Sequence, residues 1–301
     1  MAENVPVAAT ASRYSTGVPG LDERLGGGLL PGTLTVVIGA SGIGKTQLGI
    51  QFANAGLAQE GRRGILFDMN ARIDAQSHTE YAQRLFQWQL QSGSPFDAAE
   101  SSRFFASDRT HGEYLHVFEQ SGRRVTQREA GFDAWHDWQA ELSTKLSQTI
   151  AFFYGNFAHG VRRAVIDGIE PADRKSDSIQ FELFEYVYHQ ILRKESAWVA
   201  RDLFREHYRE MAAAVEQHAY DFRQVACLLL YTCHETMLDG LIERPLEDGD
   251  LLAGANTLIY MGKIRDGVKL RRALYISKHR GSACSDEIAF YSIDDSGLKL
   301  E

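Results

Sequence analysis

Short apolar runs punctuate the chain at wide intervals. Residues 34–38, 64–67, 164–166 and 226–231 are apolar runs, interrupted only by Thr35, rather than alternating, and turn or charged residues bound each one. Continuity implies burial on both faces, as in a parallel sheet covered by helices. Residues 257–261 and 272–277 extend the series. Residues 287–293 alternate and lead into Asp294-Asp-Ser-Gly297, which predicts an antiparallel hairpin at a sheet edge. The expected fold class is α/β, with a central, mostly parallel sheet of seven or more strands flanked by helices.

Two long intervals between these runs have helical periodicity. Within residues 74–160, Trp135, Trp138, Leu142, Leu146, Ile150, Phe153 and Phe157 recur every three or four positions, the spacing of one helix face. Residues 178–222 carry a second stripe of Phe181, Phe184, Tyr188, Ile191 and Leu192, then Trp198, Phe204, Tyr208 and Met211. One expectation is that both pack on the sheet. The other is that these helical insertions offer a surface to a protein partner or a second subunit.

With 301 residues, 44% of them hydrophobic and 24% charged, the chain can bury a large core. Residues 13–301 are expected to form one elaborated domain, and residues 1–12 a flexible start that lacks the basic stretch and apolar core of a signal peptide. A net charge of −8 gives no global attraction for nucleic acid or anionic membranes. The most apolar stretch, residues 225–232, is too short to span a bilayer, so a cytoplasmic protein without membrane insertion is expected. Cys227, Cys233 and Cys284 are an odd number without CxxC spacing, which suits free thiols. The ten histidines form no zinc-type pattern.

The strongest chemical signal follows the first apolar run. Residues 39–46 read Gly39-Ala40-Ser41-Gly42-Ile43-Gly44-Lys45-Thr46, and Gln47 opens an apolar helical stretch. This is a complete GxxxxGK[ST] phosphate-binding loop, the Walker A motif, in its strand–turn–helix setting. Its glycines let backbone N–H groups converge on phosphates at a helix N-terminus. Lys45 is placed to reach the β- and γ-phosphates of ATP and Thr46 to hold Mg²⁺, with residues 39–47 as the binding segment. Asp167, ending an apolar run, follows the Walker B pattern, in which a carboxylate supports the Mg²⁺ shell through water.

Flanking blocks make the pattern more specific. Tyr14-Ser-Thr-Gly-Val-Pro-Gly-Leu-Asp22, Leu25-Gly-Gly-Gly-Leu29 and Pro31-Gly32 precede the loop, and Arg162-Arg-Ala-Val-Ile-Asp167 carries the carboxylate. Near the end stand Ser277-Lys-His-Arg-Gly-Ser282, Ser285-Asp-Glu-Ile288 and Ile293-Asp-Asp-Ser-Gly-Leu298. Together these blocks resemble the KaiC-like ATPases of the RecA superfamily. The resemblance covers the first sixty residues, the strands and the last fifty residues, and leaves the helical intervals unaccounted for. It implies a RecA-like P-loop NTPase fold and a homo-oligomer, either a ring, such as a hexamer, or a filament. It further implies that Lys278 and Arg280 reach the γ-phosphate of ATP held by a neighbouring subunit. Alternation in a strand puts these two cations on one side.

One position departs from the family. After the run at 64–68 the family carries an acidic residue, often a Glu pair, that activates the attacking water; here Asn70 and Ala71 stand there. Asn can orient water but cannot take its proton, and general bases contribute roughly 10²- to 10⁴-fold, so slow hydrolysis is expected. Asp68, Asp74 and Glu170 are the substitutes on offer.

The leading function is therefore a Mg-ATP-binding, slowly hydrolysing ATPase whose nucleotide state controls assembly or a protein partner. A DNA-binding recombinase-like ATPase is less favoured. The segment from 235 to 254 that would line a DNA path holds Glu235, Asp239, Glu243, Glu247, Asp248 and Asp250 against Arg244 alone, and DNA affinity comes from Lys and Arg releasing counterions. Arg162, Arg163, Arg271 and Arg272 are the basic residues that such a role would have to use. An autokinase of the circadian-clock type is weaker still, because that protein has two tandem ATPase domains and this chain has one phosphate loop.

Overall fold

The computed structural model describes residues 13–70, 78–93, 98–106, 109–118, 132–170, 178–243 and 254–301. Ala71, Asp74 and the segment 244–253 lie outside the described residues, as do residues 1–12.

A short helix α1 (Leu21–Arg24) precedes β1 (Leu34–Gly39) and α2 (Lys45–Glu60). Next come β2 (Ile65–Asp68), α3 (His78–Phe86), β3 (Tyr114–His116), the long α4 (Phe132–Ala158) and β4 (Arg163–Ile169). α5 (Ile179–Val187) runs into a π turn (Tyr188–Leu192), and α6 (Ser196–Phe204) and α7 (Tyr208–Gln217) lead to β5 (Ala226–Thr232). After α8 (Leu238–Ile242) the chain finishes with β6 (Thr257–Asp266), β7 (Lys269–His279), β8 (Ala289–Asp294) and β9 (Gly297–Leu300).

The strands form one sheet in the order β3-β2-β4-β5-β1-β6-β7-β8-β9. It is parallel from β3 to β6 and antiparallel from β6 to β9. Period-two alternation divides each parallel strand between two cores. In β1, Leu34, Val36 and Ile38 join the core that holds α4 to α7, and Val37 joins the core that holds α1, α2 and α3. Burial on both faces is the reason these strands read as continuous apolar runs.

The side chains of Trp135, Trp138 and Leu142 lie outside the described residues; the rest of the helical stripes is mostly core. Ile150, Phe153 and Phe157 of α4, Phe181 and Phe184 of α5, and Phe204 and Met211 are buried together. Trp198 stays 54% exposed, with Arg201 stacked on its ring. Two features escape the apolar pattern. β3 lies in an interval read as helical; its three residues are too few to set a period. β6 and β7 run well past the predicted 257–261 and 272–277, because their outer halves pair in solvent, where no burial marks them. At the tip of this hairpin Val268 is fully exposed.

No helix among the described residues is long and apolar enough to cross a membrane. Cys227 and Cys233 are buried, Cys284 is partly so, and all three are free. Of the arginines considered for DNA, Arg163 is completely buried, and Arg271 lies on the Phe290 ring while paired with Asp266.

Candidate nucleotide site

The phosphate loop spans the end of β1 and the start of α2, at the carboxyl edge of the parallel strands, where open α/β sheets bind ligands. Gly44 is the N-cap of α2 with φ 113°, and a Cβ there would stand 2.6 Å from Ile293 of β8. Gly42, also at positive φ, faces open space. The loop is braced from below, since the Tyr291 hydroxyl donates to the Ile43 carbonyl at 2.7 Å. Gln51 of α2 exchanges two hydrogen bonds with Leu298 of β9, donating to its carbonyl and accepting from its N–H. The C-terminal hairpin thus packs against the loop and its helix.

Lys45 is 6% exposed and donates to the carbonyls of Gly39 at 2.8 Å and Ala40 at 2.9 Å. No carboxylate among the described residues forms an ion pair with it. Burial pushes its pKa down, and the more distant charge of Asp167 opposes that shift. A buried ammonium held only by carbonyls favours an anionic ligand. Gln47 is buried too, and its Oε1 has no partner.

Thr46 Oγ1 donates to Asp167 Oδ2 at 2.8 Å, so the two residues expected at Mg²⁺ meet. β2 and β4 are in register, with Asp68 opposite Asp167, and both carboxylates are buried. His78, the first residue of α3, stands between them. Its Nδ1 lies 3.2 Å from Asp68 Oδ2 and its Nε2 lies 3.1 Å from Asp167 Oδ2. Carboxylate oxygens only accept, so both ring nitrogens carry protons. Burial alone would lower the His78 pKa, but the charge of Asp68 and the bonds to both acids hold it at about 10. Asp68 shows the counterpart: burial would raise its pKa, yet the charge and hydrogen bond of His78, aided by His116 and the Asn70 N–H, keep it well below the usual carboxylate range.

Both oxygens of Asp68 are committed. Oδ1 accepts from the N–H of Asn70 at 2.9 Å and from its Nδ2 at 2.7 Å; Oδ2 accepts from the Tyr114 hydroxyl at 2.8 Å as well as from His78. Asp68 is therefore a poor proton acceptor, and the Asn70 amide is spent on it. Glu170 follows directly after β4 on the same edge.

Lys278 and Arg280 are elsewhere. Thr35 pairs with Thr257 and Thr257 with His279, which puts the end of β7 level with the start of β1. Lys278, opposite Leu258, stands roughly 10 Å short of Gly39 along the strands and two strands across. Arg280 lies beyond the sheet, its N–H bonded to the Asn256 carbonyl at 2.9 Å. Burial, then the like charge of Arg280, lowers the Lys278 pKa. The pair sits together, at the edge opposite its own phosphate loop.

The sequence model of the family described as "ATPase: KaiC" matches residues 14–196, more than half of the chain. The chain belongs to the KaiC-like ATPase family. That match runs through the first helical interval, which the motif blocks had left out. A KaiC-like protein from the hyperthermophilic archaeon Pyrococcus horikoshii OT3 has a similar fold, with TM-score 0.51 and 17% identity over 97% of this chain and 100% of that one. No curated protein is similar enough to match.

For a KaiC-like ATPase, nucleotide binding follows from membership, and the residues present fit Mg-ATP: an open glycine loop, a buried ammonium with no carboxylate paired to it among the described residues, and a hydroxyl already bonded to a carboxylate. His78 and Tyr114 were missed in the sequence. Neither stands in a motif: Tyr114 reaches Asp68 from the neighbouring strand β3 and His78 from the start of α3.

Proposed function

We propose that this KaiC-like ATPase holds Mg-ATP between subunits, on the phosphate loop of one and against Lys278 and Arg280 of the next, and that it hydrolyses ATP slowly while nucleotide state controls assembly or a protein partner. The observation that carries this reading is the separation of the two cationic groups. Lys45 has a phosphate loop around it, whereas Lys278 and Arg280 cannot reach that loop within one chain. A second subunit supplies the missing half.

Within the loop, the backbone N–H groups and Lys45 bind the phosphates, and Thr46 and Asp167 hold the metal. Mg²⁺ neutralises the charge on the β- and γ-phosphate oxygens when bound. Lys278 and Arg280 add cationic charge at the transferred group from the far side of the interface. Slow turnover follows from the acids: Asp68 is committed to four donors, and Asn70 cannot accept a proton. Phosphoryl transfer depends mainly on positioning and charge neutralisation, so the activity is reduced rather than abolished.

The test is molecular mass with and without Mg-ATP, for the wild type and Lys45→Ala. The wild type should assemble on Mg-ATP and the variant should stay folded, fail to bind ATP and fail to assemble. Micromolar ATP affinity in Lys45→Ala, or a wild type whose mass ignores Mg-ATP, would refute the proposal.

A further inference from the structure

His78 fills a place that oxygen chemistry would otherwise offer to a metal. Asp68 and Asp167 are in-register neighbours on parallel strands, whose spacing is roughly 4.8 Å. Both are buried, and Thr46 Oγ1 is bonded to one of them at 2.8 Å. Two carboxylates and a hydroxyl are a hard-oxygen set that attracts divalent cations on its own. Like charges placed directly opposite in a sheet also repel. The His78 imidazolium lies between the acids, and each ring nitrogen holds one carboxylate oxygen.

We propose that His78 is a positioning residue that keeps the Asp68–Asp167 pair closed to free divalent cations, so that Mg²⁺ enters this site only together with nucleotide. The proposal rests on the reading of Asp167 as the metal-side carboxylate. Asp167 Oδ2 is shared by His78 and Thr46, so a metal approaching Thr46 meets an oxygen already taken and a like charge beside it. ATP changes that balance, because its phosphates bring negative charge and oxygen ligands of their own. The remaining oxygens do not reopen the site: Asp68 Oδ1 is held by Asn70 and Asp167 Oδ1 by the Gly168 N–H at 2.7 Å. The nucleotide-free protein then answers to ATP and is indifferent to magnesium alone.

The experiment measures Mn²⁺ binding by electron paramagnetic resonance on the full, nucleotide-free chain. Wild type should bind no Mn²⁺ in the micromolar range. His78→Gln should bind at least about tenfold more tightly, since a unit charge a few ångströms from a divalent ion is removed in a medium of low effective dielectric. His78→Gln/Asp167→Asn should lose the gain, locating it at this pair. His78→Lys, which keeps the cation, should behave as wild type. A purely structural histidine gives no gain of metal on removal. Equal Mn²⁺ affinity in wild type and His78→Gln would overturn the proposal, and so would tight binding by wild type.

Should His78→Gln not fold, ¹⁵N-histidine spectra of the wild type decide. The His78 signals should show two protonated nitrogens, stay unmoved by millimolar Mg²⁺, and shift on Mg-ATP. A shift with Mg²⁺ alone would overturn the gate. Failure of the wild type to bind Mg-ATP would instead fall on the proposed function, which the metal-only measurement does not use.

Discussion

Replacing Arg163 should unfasten the molecule at a point far from any ligand. Its side chain is fully buried, and all five guanidinium protons have acceptors. Nε and Nη2 grip both oxygens of Glu60 at 2.7 and 2.9 Å; Nη1 donates to the carbonyls of Ser15 and Phe52 at 2.6 and 2.8 Å; Nη2 also reaches Gln59 Oε1 at 2.5 Å. The plane lies over the rings of Tyr14 and Phe52. Gly64 makes room for it, since a Cβ there would stand 2.8 Å from Arg163 Cβ. Glu60 ends α2 and Arg163 begins β4, the two elements whose other ends meet as Thr46 and Asp167. One staple therefore sits at each end of the helix–strand pair.

Arg163→Met leaves Glu60 as a largely buried charge without a partner and strips two carbonyls of their donor. Breaking one side of a buried pair costs about 3–5 kcal/mol, and a typical fold has only about 5–15 kcal/mol in hand. Urea unfolding followed by tryptophan fluorescence should show a loss of about 4 kcal/mol. Arg163→Met/Glu60→Leu should recover about half, because no unpaired charge remains. A loss below about 1 kcal/mol for the single variant would refute the reasoning.

Other outcomes are expected. Lys278→Ala/Arg280→Ala protein mixed with Lys45→Ala protein should regain part of the turnover that each lacks alone, since mixed interfaces pair an intact loop with intact cations; no recovery despite co-assembly would place the pair outside the reaction. Asn70→Glu sets a second carboxylate against Asp68 Oδ1, which now accepts from Asn70 Nδ2 at 2.7 Å, so stability should fall by about 1 kcal/mol, while the restored proton acceptor should raise the single-turnover rate by about tenfold; an unchanged rate at saturating Mg-ATP would show that a missing base is not what limits turnover. His111 is held down to about 4, chiefly by burial, then by the charges of His159 and Arg109. Between pH 6.5 and 4 the unfolded chain binds a proton that the folded one refuses, so acidification through that window should remove up to about 3 kcal/mol. Thermal midpoints at both ends of the window should differ less in His111→Gln; an unchanged difference would show that other groups set the acid limit.

The strands and the strand–turn–helix setting of residues 39–47 were legible because each is a local pattern. Residues 34–46 carry a buried strand, a glycine turn and a helix start in one line of text. The antiparallel half was less so: the outer parts of β6 and β7 are exposed, and exposure leaves backbone pairing without a side-chain record. The acid pair shows a different limit. Asp68 and Asp167 are 99 positions apart in the chain, and their meeting depends on β2 lying beside β4, a matter of strand order that no local spacing encodes. His78 enters the site from the start of a helix between them. The aromatic stripes show amphipathic helices, but periodicity does not say what a face covers; among the described residues, most of it joins the core beneath the sheet.

If ATP is shared between subunits as proposed, the opposite-edge placement of Lys278 and Arg280 also sets the arithmetic of assembly. A subunit with its acceptor half on one edge and its donor half on the other joins neighbours head to tail, and such contacts either close on themselves or run on. An open chain then always has one loop without cations at one end and one cation pair without a loop at the other. Its complete sites number one fewer than its subunits, whereas a closed ring completes every site. Turnover per subunit would therefore climb with length in a growing filament and step to its full value on closure, so a plot of specific activity against assembly size separates the two architectures without an image of either.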